Sequence, residues 1–392
     1  MKNILFTISV FIPIFLNNCL GTFLGIKQLL TITMLPLFIF SLFNIITKSN
    51  ASKKNINNNV TKSIAILFYI ASSVLLLKIS TGQYEYIRDI IYMAYLPGCI
   101  ILACENLTNA QYKILRVVVI MFFLFESGTV IAEWLTMQNF FFIKNEYYTQ
   151  PEASMGRWAF RGQGVFVHPI LSSMVISVMI QFILSSTIKI NAKYIFLLIG
   201  LMAMLAINTR TGIVLTVIML LPTLFNNYKN IIRRKRRRMI SLAVVLLLGM
   251  FIYLILNTDL GGRLFNEGLI DKSSRQRLVA LSFLDVVSSE WLLYGRMDFI
   301  DAMLATNVGW VENGYIAFIL KYGLIAGVPL LLSLIWVHIC QLKRFTMVGS
   351  ICIFLTYYLF AATNPHLASQ AIWMYFLFSY YAFFPHRQTK LS

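Results

Sequence analysis

Apolar runs close to twenty residues long recur along almost the whole of this chain, and that pattern limits its fold before any single residue is considered. About 20 apolar residues in helical form cross the hydrocarbon core of a bilayer. Here 58% of the 392 residues are hydrophobic and only 12% are charged. No soluble domain of this length hides so much apolar surface. A membrane barrel would instead show weakly alternating strands of about 10 residues. The expectation is an all-α polytopic transmembrane bundle of about twelve spans. They fall near 4–21, 28–46, 63–80, 88–104, 114–133, 167–187, 193–208, 212–226, 239–257, 311–337, 345–362 and 370–385. Residues 1–392 then form a single transmembrane domain. Gly323 and Gly327 permit tilt or a break in the tenth span. Lys2 and the apolar stretch behind it look like a signal peptide. No small-residue cleavage site follows, so an uncleaved first helix is expected.

Charge orients the bundle. With the N-terminus inside, the inner segments are 1–3, 47–62, 105–116, 187–193, 227–238, 338–345 and 385–392. They hold 20 of the 33 Lys and Arg and one acid, Glu105. Cation-rich loops collect on the cytoplasmic face, so both termini are expected there and the net charge of +18 is mostly a topology signal. The run Arg233-Arg234-Lys235-Arg236-Arg237-Arg238 directly precedes a span. It suits anionic lipid headgroups better than nucleic acid, and no nucleic-acid partner is expected. Cys19, Cys99, Cys104, Cys340 and Cys352 lie in or at the ends of spans. They make no outer disulfide framework and show no metal-ligand spacing.

Two outer loops are long, at about 133–166 and 258–310. The second has 53 residues, below the roughly 70–80 at which a lone core becomes stable, so it must pack on the bundle. Within it, 273–289 reads as a helix. Ser273 or Ser274 can cap it, and Leu278, Leu281, Leu284 and Val287 form one apolar stripe. Arg275 and Arg277 sit in its first turn. They are either solvated among headgroups or turned to an anion that the helix N-terminus also favours.

Three polar stretches on the outer side interrupt the apolar pattern: Gly156-Arg157-Trp158-Ala159-Phe160-Arg161, Asn208-Thr209-Arg210-Thr211-Gly212, and 259–313. Arginine held opposite the cation-rich face points to an anionic substrate. Arg210 sits in a turn of a few residues, where a planar fork can grip phosphate oxygens; a snorkelling interfacial arginine would also sit there. Arg157 and Arg161 precede Gly162, Gly164 and His168-Pro169. The glycines allow close backbone approach and His168 can move a proton; an ordinary amphipathic loop is the alternative. Glu312-Asn313-Gly314-Tyr315 opens the tenth span. Glu312 either caps that helix or acts as a base toward a sugar hydroxyl, with Asp298 and Asp301 as competitors. Glu126 lies inside the fifth span, where a carboxylate faces the bundle interior. The chain has no Asp-x-Asp pair, Gly-rich nucleotide loop or Walker pattern. That argues against a soluble nucleotide-sugar donor and bound metal.

Together these pieces resemble the O-antigen polymerase and ligase superfamily, the Wzy and WaaL group of bacterial membrane proteins. Arg161-Gly162-x-Gly164-x-Phe166-x-His168-Pro169 looks like its Arg/Gly-rich approach to a His-Pro helix start. Asn208-Thr209-Arg210-Thr211-Gly212 looks like its Ser-Arg-Thr-Gly turn. Ser274-Arg275-x-x-Leu278 and Trp291-Leu292-Leu293-Tyr294-Gly295 resemble its large-loop elements. Glu312-Asn313-x-Tyr315-Ile316 with Tyr322-Gly323-Leu324-Ile325-Ala326-Gly327 looks like the helix after the loop. The resemblance covers about 157–340. It implies a metal-independent, inverting glycosyltransferase at the periplasmic face of the bacterial inner membrane, without cofactor, acting on undecaprenyl-pyrophosphate-linked oligosaccharide. A flippase and a chain-length regulator are the implied protein partners. Ligases place a histidine before the Asn of the post-loop helix; Glu312 stands there in this chain, which favours polymerase over ligase to lipid A core.

On this reading Arg210 and Arg275 bind the donor pyrophosphate and Glu312, or Asp298, is the base. Arg157, Arg161, His168, Arg277, Arg296, Asn313 and Tyr315 contact substrate, and Trp158, Trp291 and Trp310 offer faces to sugars. The other class is a flippase for the same lipid-linked repeat. It should line a path through the bundle with cations, whereas these cluster at one face.

Overall fold

The computed structural model describes residues 2–16, 36, 39–40, 58–105, 107–141, 160–229, 249, 253, 257, 287–296, 313–363 and 370–384. Every ordered element among the described residues is helical. In chain order they are α1 (Lys2–Phe11, extended by a π-helical turn), α2 (Asn58–Ser80), α3 (Tyr86–Cys104, with a π-helical middle), α4 (Asn109–Thr136), α5 (Pro169–Ser185), α6 (Ile190–Ile207), α7 (Arg210–Lys229), α8 (Ser289–Tyr294), α9 (Gly314–Leu342), α10 (Met347–Ala361) and α11 (Gln370–Phe383). Six of them, α2, α3, α4, α6, α7 and α9, are long and apolar enough to cross a membrane; α5 and α10 are shorter apolar helices. The expected spans at 28–46 and 239–257 lie almost wholly outside the described residues.

Local chemistry accounts for the helix ends. A capping box opens α4: Gln111 N donates to Thr108 Oγ1 at 3.3 Å, and Thr108 N donates to Gln111 Oε1 at 2.9 Å. Each bond satisfies an N–H that the first turn leaves without a partner. Asn208, at φ 55°, ends α6, since asparagine enters the left-handed region more readily than most residues. α7 begins two residues later. The expected helix over 273–289 does not run through its last residues. Ser288 has extended backbone and its Oγ accepts from Trp291 N at 3.2 Å, so it starts α8 instead; a serine hydroxyl favours that N-cap geometry.

α5 is the central helix. Its residues from Leu171 to Leu184 are all buried, and it packs against α6, α7, α10 and α11. Small hydroxyl residues join it to α7. Ser177 Oγ and Thr216 Oγ1 lie 2.5 Å apart, and Thr223 Oγ1 donates to Gln181 Oε1 at 2.9 Å. In an apolar surrounding such bonds and close approach hold helices together.

The bundle has two distinct ends. At the first, Arg344 pairs with Glu105 at 2.5 Å, Lys193 Nζ donates to Leu184 O at 2.6 Å, and Asn226 Nδ2 donates to Thr346 Oγ1 at 3.4 Å. The segments around 105, 187–193, 226–227 and 343–346 therefore gather there. Glu105 is the sole acid at that end among the described residues. The second end holds the start of α5, the α6–α7 turn, the start of α3, α8 and the start of α9.

α9 departs from expectation. Gly323, at φ 78° and ψ 167°, breaks it. Tyr322 and Phe318 lie 3.2 and 3.5 Å from where a Cβ on Gly327 would stand. Residues 318 and 327 would be about 13.5 Å apart along an unbroken helix. The piece 314–322 thus folds back on the piece 324–342, and only the second continues along the bundle. A break was permitted by the sequence; a fold-back was not expected.

Candidate functional site at one end of the bundle

The segment 160–168 is laid over the second end by hydrogen bonds to its neighbours. Gly162 N donates to Ala206 O at 3.1 Å, and Asn208 Nδ2 donates to Phe160 O at 3.4 Å. These bonds bring the strip bearing Arg161 and His168 against the turn bearing Arg210. From below, α4 supplies two fully buried carboxylates. Glu133 Oε2 accepts from Gln163 N at 2.7 Å and Gly164 N at 2.8 Å, its Oε1 accepts from Phe140 N at 2.9 Å, and Glu126 Oε2 accepts from Val165 N at 3.0 Å. A Cβ on Gly164 would strike the Glu126 carboxylate, and its φ of 59° suits only glycine well. The reversal ends at Val167, a β-branched residue at φ 53°. That conformation costs about 1–3 kcal/mol and persists only where the surroundings over-determine it. The three carboxylate bonds to Gln163, Gly164 and Val165 just upstream do so, and they fix where His168 leaves the loop.

Arg161 and Arg210 are half-buried. Ser172 Oγ closes the cradle by donating to Gln163 O at 2.5 Å.

The helix after the large loop arrives at the same end. Asn313 Oδ1 accepts from Tyr315 N and Ile316 N at 3.0 and 3.2 Å, and Tyr315 Oη donates to Tyr358 O at 2.9 Å. α10, which carries Tyr358, packs on both α5 and α7. Asn313 and Tyr315, expected to contact substrate, thus hold the folded-back piece. Asn313 caps it and Tyr315 ties it to α10. Arg157, Arg275, Arg277, Asp298 and Glu312 lie outside the described residues, as do Trp158 and Trp310.

At the other end of the folded-back piece, α8 docks on the break. Breaking a helix leaves carbonyls without their i+4 donors. Leu320 O accepts from Arg296 N at 2.9 Å and from Trp291 Nε1 at 3.0 Å, and Lys321 O accepts from Tyr86 Oη at 2.6 Å. Gly295 and Gly323, both with left-handed φ, face each other so closely that a Cβ on either would meet the other's backbone. The two motifs Trp291-to-Gly295 and Tyr322-to-Gly327 are therefore one structural unit. Charge surrounds it. Lys321 pairs with Asp89, Arg88 Nε lies 3.5 Å from the same carboxylate, and Lys78 donates to Tyr294 O and to Gln83 Oε1 at 3.0 Å. The exposed Arg296 guanidinium lies 5.3 Å from the Trp291 ring centroid. With its N–H engaged and an arginine over its ring, Trp291 acts as an anchor for α8.

Sequence reasoning gave Glu133, Lys78, Asp89 and Lys321 no role at this end. Glu126 was singled out only as a buried carboxylate. Charges inside or at the edge of apolar runs were the available signal; what they bind is mostly backbone from distant segments. No family model matches this chain, and no curated protein matches it.

Proposed function

We propose that this chain is a polymerase of lipid-linked oligosaccharide repeats, of the Wzy and WaaL type, working at the periplasmic face of the bacterial inner membrane. The observation that carries the reading is the joining of sequence-distant motifs at one end of an apolar helical bundle. The 161–168 strip is bonded to the Arg210 turn and the Trp291–Gly295 element to the Asn313-capped helix, and both pairs lie away from the end where the described segments at 105, 187–193, 226–227 and 343–346 gather.

In this reading a hydroxyl oxygen of the acceptor sugar attacks the anomeric carbon of the donor. The bond from that carbon to the pyrophosphate oxygen breaks, and the hydroxyl proton passes to Glu312, with Asp298 as the competing base. Undecaprenyl pyrophosphate leaves with both electrons of the broken bond. Arg210 and Arg275 stabilise the charge that grows on it, which is how fixed cations accelerate departure. Arg157, Arg161, Arg277 and Arg296 steer the two lipid-linked substrates.

The test is purified protein with one synthetic lipid-linked repeat, read as a ladder on a gel. Wild type should give a ladder. Arg210→Lys keeps the charge but loses the bidentate fork, so most product should vanish while expression holds. Transport of the repeat across a vesicle membrane without any ladder would favour the flippase reading. A full ladder from Arg210→Lys would make Arg210 a snorkelling residue.

A further inference from the structure

The opposite end of the bundle carries a groove that the proposed reaction does not use. It lies between the last turns of α9 and the first turns of α10 and encloses about 480 Å³. Ile339, Leu342, Phe345, Ile351, Phe354 and Leu355 supply most of its wall. The polar groups on it are Lys343 and Ser350. Ser350 Oγ is engaged by Leu342 O at 2.6 Å and Thr346 O at 3.0 Å, so it adds no free polar surface. A stable buried water needs two to four polar partners, and this wall does not offer them. Hydrocarbon fits it.

Lys343 stands at the mouth, exposed, with Nζ 5.5 Å from the ring centroid of the half-exposed Trp336. The next residue, Arg344, turns inward to Glu105 and lies over the Phe384 ring, so its charge is compensated. No described carboxylate pairs with Lys343. The end of α7 lies beside the mouth, with Asn226 Nδ2 on Thr346 Oγ1.

We infer that this groove is a binding site for one anionic phospholipid, an acyl chain in the groove and the headgroup phosphate on Lys343. Lysine binds phosphate as a point charge, without need of a fixed approach angle. A headgroup with net negative charge is attracted. A choline headgroup brings its own cation, which Lys343 repels. One lysine near an anionic surface contributes on the order of a fivefold preference.

Native mass spectrometry of the full chain in detergent, with equal amounts of phosphatidylglycerol and phosphatidylcholine of matched acyl chains, tests this. Wild type should retain one phosphatidylglycerol about fivefold over phosphatidylcholine. Lys343→Gln should retain both equally, and Ile351→Trp, which fills the groove, should retain neither at that site. Equal retention of the two lipids by wild type, or an unchanged preference in Lys343→Gln, overturns the inference. A dimer that forms without lipid and is lost in Ile351→Trp would assign the groove to a second copy of the chain and overturn it as well. None of these outcomes depends on polymer synthesis.

Discussion

Glu133 accepts N–H groups from Phe140, Gln163 and Gly164, residues that no pattern along the chain links to it. A glutamine has one acceptor oxygen, and its amide N–H would point at a backbone N–H. Glu133→Gln is predicted to lose at least one hydrogen bond to a charged acceptor, at about 1.5–3 kcal/mol each, and to lower the unfolding midpoint in detergent accordingly. An unchanged midpoint would mean that the strip is held by other contacts. Glu312 poses the opposite problem, because its proposed role is chemical. A positioned base contributes about 10²–10⁴-fold. Glu312→Gln is therefore predicted to cut turnover at least about tenfold with little loss of expressed protein; a mere cap would cost at most ~1 kcal/mol of stability and leave the ladder intact. Loss in Asp298→Asn with activity kept in Glu312→Gln would move the base to Asp298. Arg210 stands out in the sequence because a short turn between two apolar runs holds it at the end of the bundle, where a phosphate grip and a snorkelling arginine both fit. The use of Glu133 was not legible there, since its partners are backbone groups.

Among elements, α9 shows how an apolar run can mislead. Twenty-nine residues from Gly314 to Leu342 are apolar enough for one crossing, yet the helix is two pieces folded on each other at Gly323. Glycine at 323 was readable as permission to bend. The direction of the bend depends on α8, whose Trp291 indole and Arg296 N–H satisfy the Leu320 carbonyl. Gly323→Ala is predicted to destabilise the protein by roughly 2–4 kcal/mol, from a left-handed φ with a Cβ and a clash with the backbone of 293–295. Thermal unfolding measures the loss, and Trp291 fluorescence should shift as α8 leaves its seat. If both stay as in wild type, the two glycines do not lock the loop to the bundle. Gly295→Ala should behave alike, since the close approach is mutual.

Among the described residues, the segments at 105, 187–193, 226–227 and 343–346 gather at one end, and Arg161, Arg210 and Arg296 lie at the other. Cytoplasmic retention of positive charge then predicts which end faces inward. Reporter fusions at Asn57, Lys235 and the C-terminus should report cytoplasm, and one at Asp271 should report periplasm. A periplasmic signal at Lys235 would invert the bundle and remove the proposed site from the face where its substrate is presented.

Periodicity and composition were enough to make this chain a helical membrane protein, because covering a helix of apolar residues in water has no soluble solution. Charge along the chain was enough to separate the loops into two groups, because each loop's cations are local. Neither could show that 160–168 lies on two α4 carboxylates, that Asn313 caps and Tyr315 ties down a helix, or that Gly295 meets Gly323. Those are pairings between groups far apart in sequence. The donor that a broken helix or a tight strip takes is whichever one the packed bundle brings within hydrogen-bond reach.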